Sequence, residues 1–189
     1  MPIRSTVFLC ILLVVVFAVV LIAIYNGLVA KRNRVRNAFS TIDVNLRKRH
    51  NLIPNLVETV KAYADHENET FTRVIEARNE AAAGNLSDSD RLRAEERVGP
   101  EVQNLIALAE SYPDLRSSDH FLNLQRNLTE IEEQISAARR AYNAAVLRIN
   151  NAVESFPSNL VANTFHFQRH DFFEAAVEAR ERVDVKMGG

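Results

Sequence analysis

This sequence has little cysteine, little glycine and almost no net charge. Its 189 residues include one cysteine, Cys10, which lies inside an apolar run. No intramolecular disulfide can form, so the rest of the chain owes nothing to an oxidising compartment. Only Gly27, Gly84 and Gly99 lie away from the C-terminus, too scattered for a loop that cradles phosphates. A Gly-x-Ser-x-Gly elbow is missing as well. The formal net charge of −1 argues against nucleic acid as a partner.

What charge there is has been placed unevenly. Up to position 49 the chain holds eight basic residues and one acid, Asp43, leaving 15 basic and 23 acidic residues for the remainder. A basic stalk therefore carries an acidic body.

The 26 residues between Arg4 and Lys31 carry no charge, and Val7 to Ile24 is unbroken apolar sequence. About 20 such residues cross the hydrocarbon layer as a helix. Tyr25 takes an interfacial aromatic position, and Asn26 and Gly27 mark the exit. A cleaved signal peptide has a shorter apolar region and a small-residue cleavage site, neither of which this stretch shows. Phe8 and Leu9 before Cys10 do not fit a lipoprotein signal. The expected organisation is a short tail over 1–5, a transmembrane helix over 6–29, a helical domain over 30–184 and a tail over 185–189. Lys31, Arg32, Arg34 and Arg36 form a basic collar at the membrane surface, outweighing Arg4 and the α-amino group. That excess predicts an N-terminus outside and a cytoplasmic C-terminal domain, with the lipid bilayer as a partner and anionic headgroups near the collar.

Beyond the collar the apolar residues follow helical spacing. One series runs Val35, Ile42, Arg49, Leu56, Tyr63, Thr70, and the other Phe39, Leu46, Ile53, Val60, Glu67, Val74. The seam weakens at Arg49, Glu67 and Thr70. Pro54 predicts a bend near 50–54, either a kink or a new helix capped by Asn51. Residues 84–90 read as a turn. A second helix follows, with a kink or restart at Gly99-Pro100; Val98, Val102, Leu105, Ala109 and Tyr112 line one face before Tyr112-Pro113-Asp114 ends it. A third, capped by Ser118, repeats Phe121, Leu124, Leu128, Ile131, Ile135, Ala138, Tyr142, Ala145, Ile149 and Ala152 in unbroken 3–4 alternation. It would be about 55 Å long, which is bundle or coiled-coil material. Asp171 with Glu174 resembles a capping box that opens a short helix through Val183. With no sustained two-residue alternation, the fold class is all-α: a single N-terminal transmembrane helix, then an antiparallel up-and-down bundle of about four long helices.

Candidate chemistry is sparse. Di-iron bundles use Glu-x-x-His pairs, but Arg47, Tyr63, Ser117, Asn163 and Phe167 stand three places before the five histidines. His66-Glu67 lacks the second histidine of a zinc-protease helix, since position 70 is threonine. His166 and His170 have one-turn spacing and form an incomplete metal pair; surface or aromatic-packing histidines are the ordinary reading. Arg47-Lys48-Arg49 reads as a solvated helix face. No metal, cofactor, small-molecule substrate or catalysis is expected.

The motifs together resemble the LemA family of bacterial membrane proteins. They are Tyr25-Asn26-Gly27-Leu28-Val29; Arg32-Asn33 with Asn37-Ala38-Phe39-Ser40; Ile42-Asp43-Val44; Leu52-Ile53-Pro54-Asn55-Leu56-Val57; and Val60-Lys61-Ala62-Tyr63 with His66-Glu67. Later come Tyr112-Pro113-Asp114-Leu115, Phe121-Leu122-Asn123-Leu124-Gln125, Ala138-Arg139-Arg140-Ala141-Tyr142-Asn143 and Phe156-Pro157-Ser158-Asn159. Phe39 replaces the family's usual tryptophan. The resemblance implies an N-out inner-membrane anchor and a cytoplasmic four-helix domain, and supplies no catalytic residues. A relative's part in magnetosome formation, where a bacterial membrane is remodelled, transfers no mechanism.

Asn33, Asn37, Asp43, Asn55, His66 and Glu67, with Arg139, Tyr142 and Asn143 opposite, are read as a polar layer that fixes helix register or, less favoured, as a partner surface. The leading functional expectation is a membrane-tethered scaffold or adaptor that self-associates or docks a protein partner. The alternatives are an oligomeric membrane-remodelling protein and a metal- or ligand-binding sensor bundle.

Overall fold

A computed structural model describes residues 2–64, 66–84 and 88–173. Six helices, and no strand, occur among them. They are α1 (Pro2–Lys61), α2 (Asn68–Ala81), α3 (Asp88–Glu110), α4 (Pro113–Arg116), α5 (Asp119–Glu154) and α6 (Ser158–Thr164). The all-α class and the single apolar N-terminal helix are as the sequence implies. The start of α5 directly after Ser118 also agrees. The box formed with Glu174 lies outside the described residues.

Helix α1 runs through Pro54 without ending there. Asn51 sits inside α1 and caps no new helix. A proline in a helix interior costs about 3 kcal/mol, here by removing the donor for the His50 carbonyl. Ile53 and Leu56 on either side are wholly buried, and each such burial contributes about 1.5–3 kcal/mol. Burial outweighs the lost bond, and α1 runs on to Lys61. It then stops short of the predicted seam: the Ala64 amide donates to the Val60 carbonyl at 3.0 Å, and the chain restarts as α2. Helix α3 likewise runs through Gly99 and Pro100.

The chain forms two compact units, and α1 and α5 contribute to both. In residues 42–138 with 173 onward, α1, α2, α3 and α5 supply a four-helix core. Leu56, Val74, Val98, Leu105 and Leu128 lie at its centre and are almost fully buried. The single turn α4, started by Pro113 in the position where a missing N–H is harmless, inserts Leu115 into the same core.

Residues 1–41 with 139–172 form the other unit. Val7 to Ile22 are exposed along α1, and this helix is long and apolar enough to cross a membrane. Further along, Leu28 packs with Val161, Ala162 and Phe167, flanked by Ile24, Ala152 and Val153. Helix α6 closes in a Schellman motif. The Phe167 amide donates to the Ala162 carbonyl at 2.9 Å, the His166 amide to that of Asn163 at 3.4 Å, and His166 itself has φ 55°. A left-handed conformation is unfavourable for a residue with a Cβ and free for glycine. His166→Gly is therefore expected to raise thermal stability by about 0.5–1 kcal/mol, whereas the β-branched His166→Val lowers it. A calorimetric scan of the two variants checks the order; the reverse order would remove the motif.

Candidate functional site: a buried charge cluster

The largest fully buried side chain among the described residues is an arginine. Arg49 is 1% exposed and occupies a seam position of α1, where periodicity calls for an apolar residue. Its guanidinium donates through Nη2 to Glu95 Oε2 and, at 3.1 Å, to the Glu95 carbonyl, and through Nη1 to Glu132 Oε1 at 2.9 Å. His50, the next residue, places Nε2 3.0 Å from the other Glu95 oxygen. A proton between those two atoms satisfies both; without it, neither has a donor. Glu95 is fully buried, His50 nearly so, and Glu132 reaches solvent. Three helices of one unit, α1, α3 and α5, thus meet around one guanidinium.

Taking these charges out of water costs several kcal/mol each, which the mutual pairing must offset. Burial by itself pushes the Glu95 carboxyl up. The His50 hydrogen bond and the charges of Arg49 and His50 outweigh it and hold the group below its ordinary 4.5. Both Glu95 oxygens and both Arg49 terminal nitrogens are engaged inside the cluster. The arrangement is suited to joining helices in one register. Outside it, Asp43 pairs with Arg47 and Arg91, both at 2.6 Å, tying α1 to α3 a second time.

Most of the sequence-proposed polar layer lies elsewhere. Asn33, Asn37, Asn55 and His66 are exposed, while Asp43, Glu67, Arg139 and Asn143 are half-buried. A buried layer does not include the first four: helical rotation turns Asn33, Asn37 and Asn55 away from the seam that buries Val35, Ile42, Ile53 and Leu56, and His66 lies in the turn between α1 and α2. Tyr142 is buried: it stacks near Phe39, with centroids 6.1 Å apart, and its hydroxyl donates to the Asp171 carbonyl at 3.2 Å. Asn150 clamps the same segment, donating to the His170 carbonyl at 2.9 Å and accepting from its amide at 3.0 Å. His166 and His170 do not share a helical face, since α6 ends at Thr164 and residues 165–170 are not helical. Among the described residues no group of three His, Cys, Asp or Glu side chains is placed to hold a metal.

In the collar, the Arg32 guanidinium lies 5.2 Å above the Phe167 ring, a cation–π contact. Arg36 is exposed. Lys31 and Arg34 face Arg148 across a groove of about 340 Å³ floored by Ala38, Ala141 and Ala145.

Two comparisons place this architecture among known proteins. The LemA family model matches residues 38–187. Protein LemA of Metamycoplasma hominis is 25% identical over 93% of this chain and 79% of its own. Magnetosome protein MamQ 2 of Paramagnetospirillum magneticum is 25% identical over 92% of this chain and 73% of its own. Magnetosome protein MamQ of Magnetospirillum gryphiswaldense is 24% identical over 91% and 72%.

Proposed function

The chain belongs to the LemA family, and we propose that it is a single-pass membrane-anchored scaffold or adaptor, self-associating or docking a protein partner at the bilayer surface. One observation carries the reading: a single helix, α1, includes both an exposed apolar span and the buried seam of the helical core. Any partner held by the core is thereby tethered to the membrane without an intervening linker. Lys31, Arg32, Arg34 and Arg36 support an orientation with the helical domain in the cytoplasm and the N-terminus outside the inner membrane. Crosslinking in native membranes, followed by sizing, is expected to return a discrete species larger than one chain. A strictly monomeric protein with no reproducible neighbour overturns the reading.

Membrane remodelling by several copies is a second reading, favoured by relatives that bear the name of magnetosome proteins. Its distinguishing result is anchor-dependent deformation of liposomes seen by electron microscopy. Unchanged vesicles at high protein density exclude it.

A further inference from the structure

We infer that the corner between α5 and α6 is a second membrane contact, a shallow wedge in which Phe156, Leu160 and Phe165 enter the interfacial layer beside the anchor. The inference rests on the membrane-anchored reading and adds to it a surface that this reading does not need. In residues 1–41 with 139–172, Phe39 meets Tyr142, and Leu28 packs in the cluster flanked by Ala152 and Val153. Residue numbers fall along α1 as they rise along α5, so the two helices are antiparallel. Helix α5 ends at Glu154, and Phe156 stands in the turn to α6, whose Val161 and Ala162 pack with Leu28 beside Ile24, where the apolar run ends.

The side chains at this level are the wrong kind for water. Phe156 is 80% exposed, Leu160 59% and Phe165 58%. Helix α6 directs Val161 and Ala162 inward against Leu28 and leaves Leu160 outside. Phe165 stacks on Tyr25 with centroids 4.8 Å apart, which fixes it beside an interfacial aromatic while most of its ring stays uncovered. Aromatic rings with one wet and one apolar side favour this depth, and a shallow apolar face can lie 5–10 Å within the headgroup–acyl boundary.

Cations complete the arrangement one layer further out. Lys31 lies about 9 Å along α1 from Tyr25, at headgroup depth if Tyr25 marks the boundary. Arg148, opposite it across the groove, has no carboxylate partner among the described residues, and neither do Lys31 and Arg34. An apolar tip with a cationic margin matches a bilayer surface containing anionic lipid. A protein partner would more commonly meet a patch closed off from the anchor's own aromatic.

The chain contains no tryptophan, so a single introduced indole reports its own depth. The test uses the full chain in phosphatidylcholine–phosphatidylglycerol vesicles carrying lipids brominated on the acyl chain. Phe156→Trp is the main reporter, because that ring is the least packed of the three; Phe165→Trp is the second. Phe17→Trp reports the span, and Tyr63→Trp reports an exposed site outside this unit. The expected result is blue-shifted emission and strong quenching at 156 and 165, with bromine near the carbonyl end most effective. Position 17 should be quenched most by deep bromine and position 63 not at all. If 156 and 165 behave like 63 while 17 is quenched, the wedge is wrong and the anchor stands. If 17 is also unquenched, the anchor reading fails and takes the wedge with it.

Discussion

Replacing Arg49 by methionine is expected to destabilise the helical core by about 3–5 kcal/mol. The loss comes from what is left behind. Glu95 is fully buried, and without the guanidinium its carboxylate keeps only the His50 contact at 3.0 Å. Glu95→Leu is expected to cost a similar amount, because it leaves the Arg49 guanidinium with Glu132 alone. Replacing the three together, Arg49→Met with His50→Leu and Glu95→Leu, is expected to restore stability to within about 1 kcal/mol of the parent. No charge is then buried without a partner, and the volume is kept. Urea unfolding of the full chain in detergent micelles, followed by far-UV circular dichroism, separates these outcomes. A triple variant as unstable as the worst single one would show that the cluster adds net stability. The expected recovery assigns it instead to register, since an arginine seam position tolerates only an alignment that brings a glutamate to it.

The contrast between what could and could not be read from the sequence turns on this arginine. The apolar span from Val7 and the whole of α5 were legible because each rests on a long, unmixed pattern. Helix α5 in particular keeps its 3–4 alternation from Phe121 to Ala152 without a break. Arg49 stood in the same kind of series but was read as a weakness of the seam, and Arg47-Lys48-Arg49 as a solvated face. Periodicity gives the direction in which a side chain points and says nothing about its partner. A signal was nonetheless present: extending the α3 series one step back from Val98 reaches Glu95, so the arginine in one seam had an acidic counterpart in another. The exposed asparagines misled for the opposite reason. They recur as motif residues, and a motif does not reveal whether its face is inside. A new helix capped by Asn51 was one of two readings of Pro54 because propensity is local, whereas the burial of Ile53 and Leu56 that keeps α1 continuous depends on helices elsewhere in the chain.

Acidification is expected to weaken the same core, and to do so through Glu95. Its carboxyl is held below 4.5 in the folded protein, so near that pH the unfolded chain binds the proton more readily than the folded one. The associated stability is fully present above about 4.5 and is lost as the pH falls through the lower folded value. Arg49 keeps its charge throughout this window. Glu95→Gln removes this dependence while keeping the side chain's shape. At neutral pH that variant is expected to be less stable than the parent by about 3–5 kcal/mol, with the gap narrowing as the pH is lowered through the folded value of Glu95, below 4.5. Urea midpoints measured along a pH series for both proteins give the comparison directly. Parallel curves, with the gap unchanged at low pH, would show that the Glu95 proton is not what acid acts on. Converging curves would tie the acid sensitivity of the domain to one carboxylate, held by a residue that the hydrophobic pattern marked as out of place.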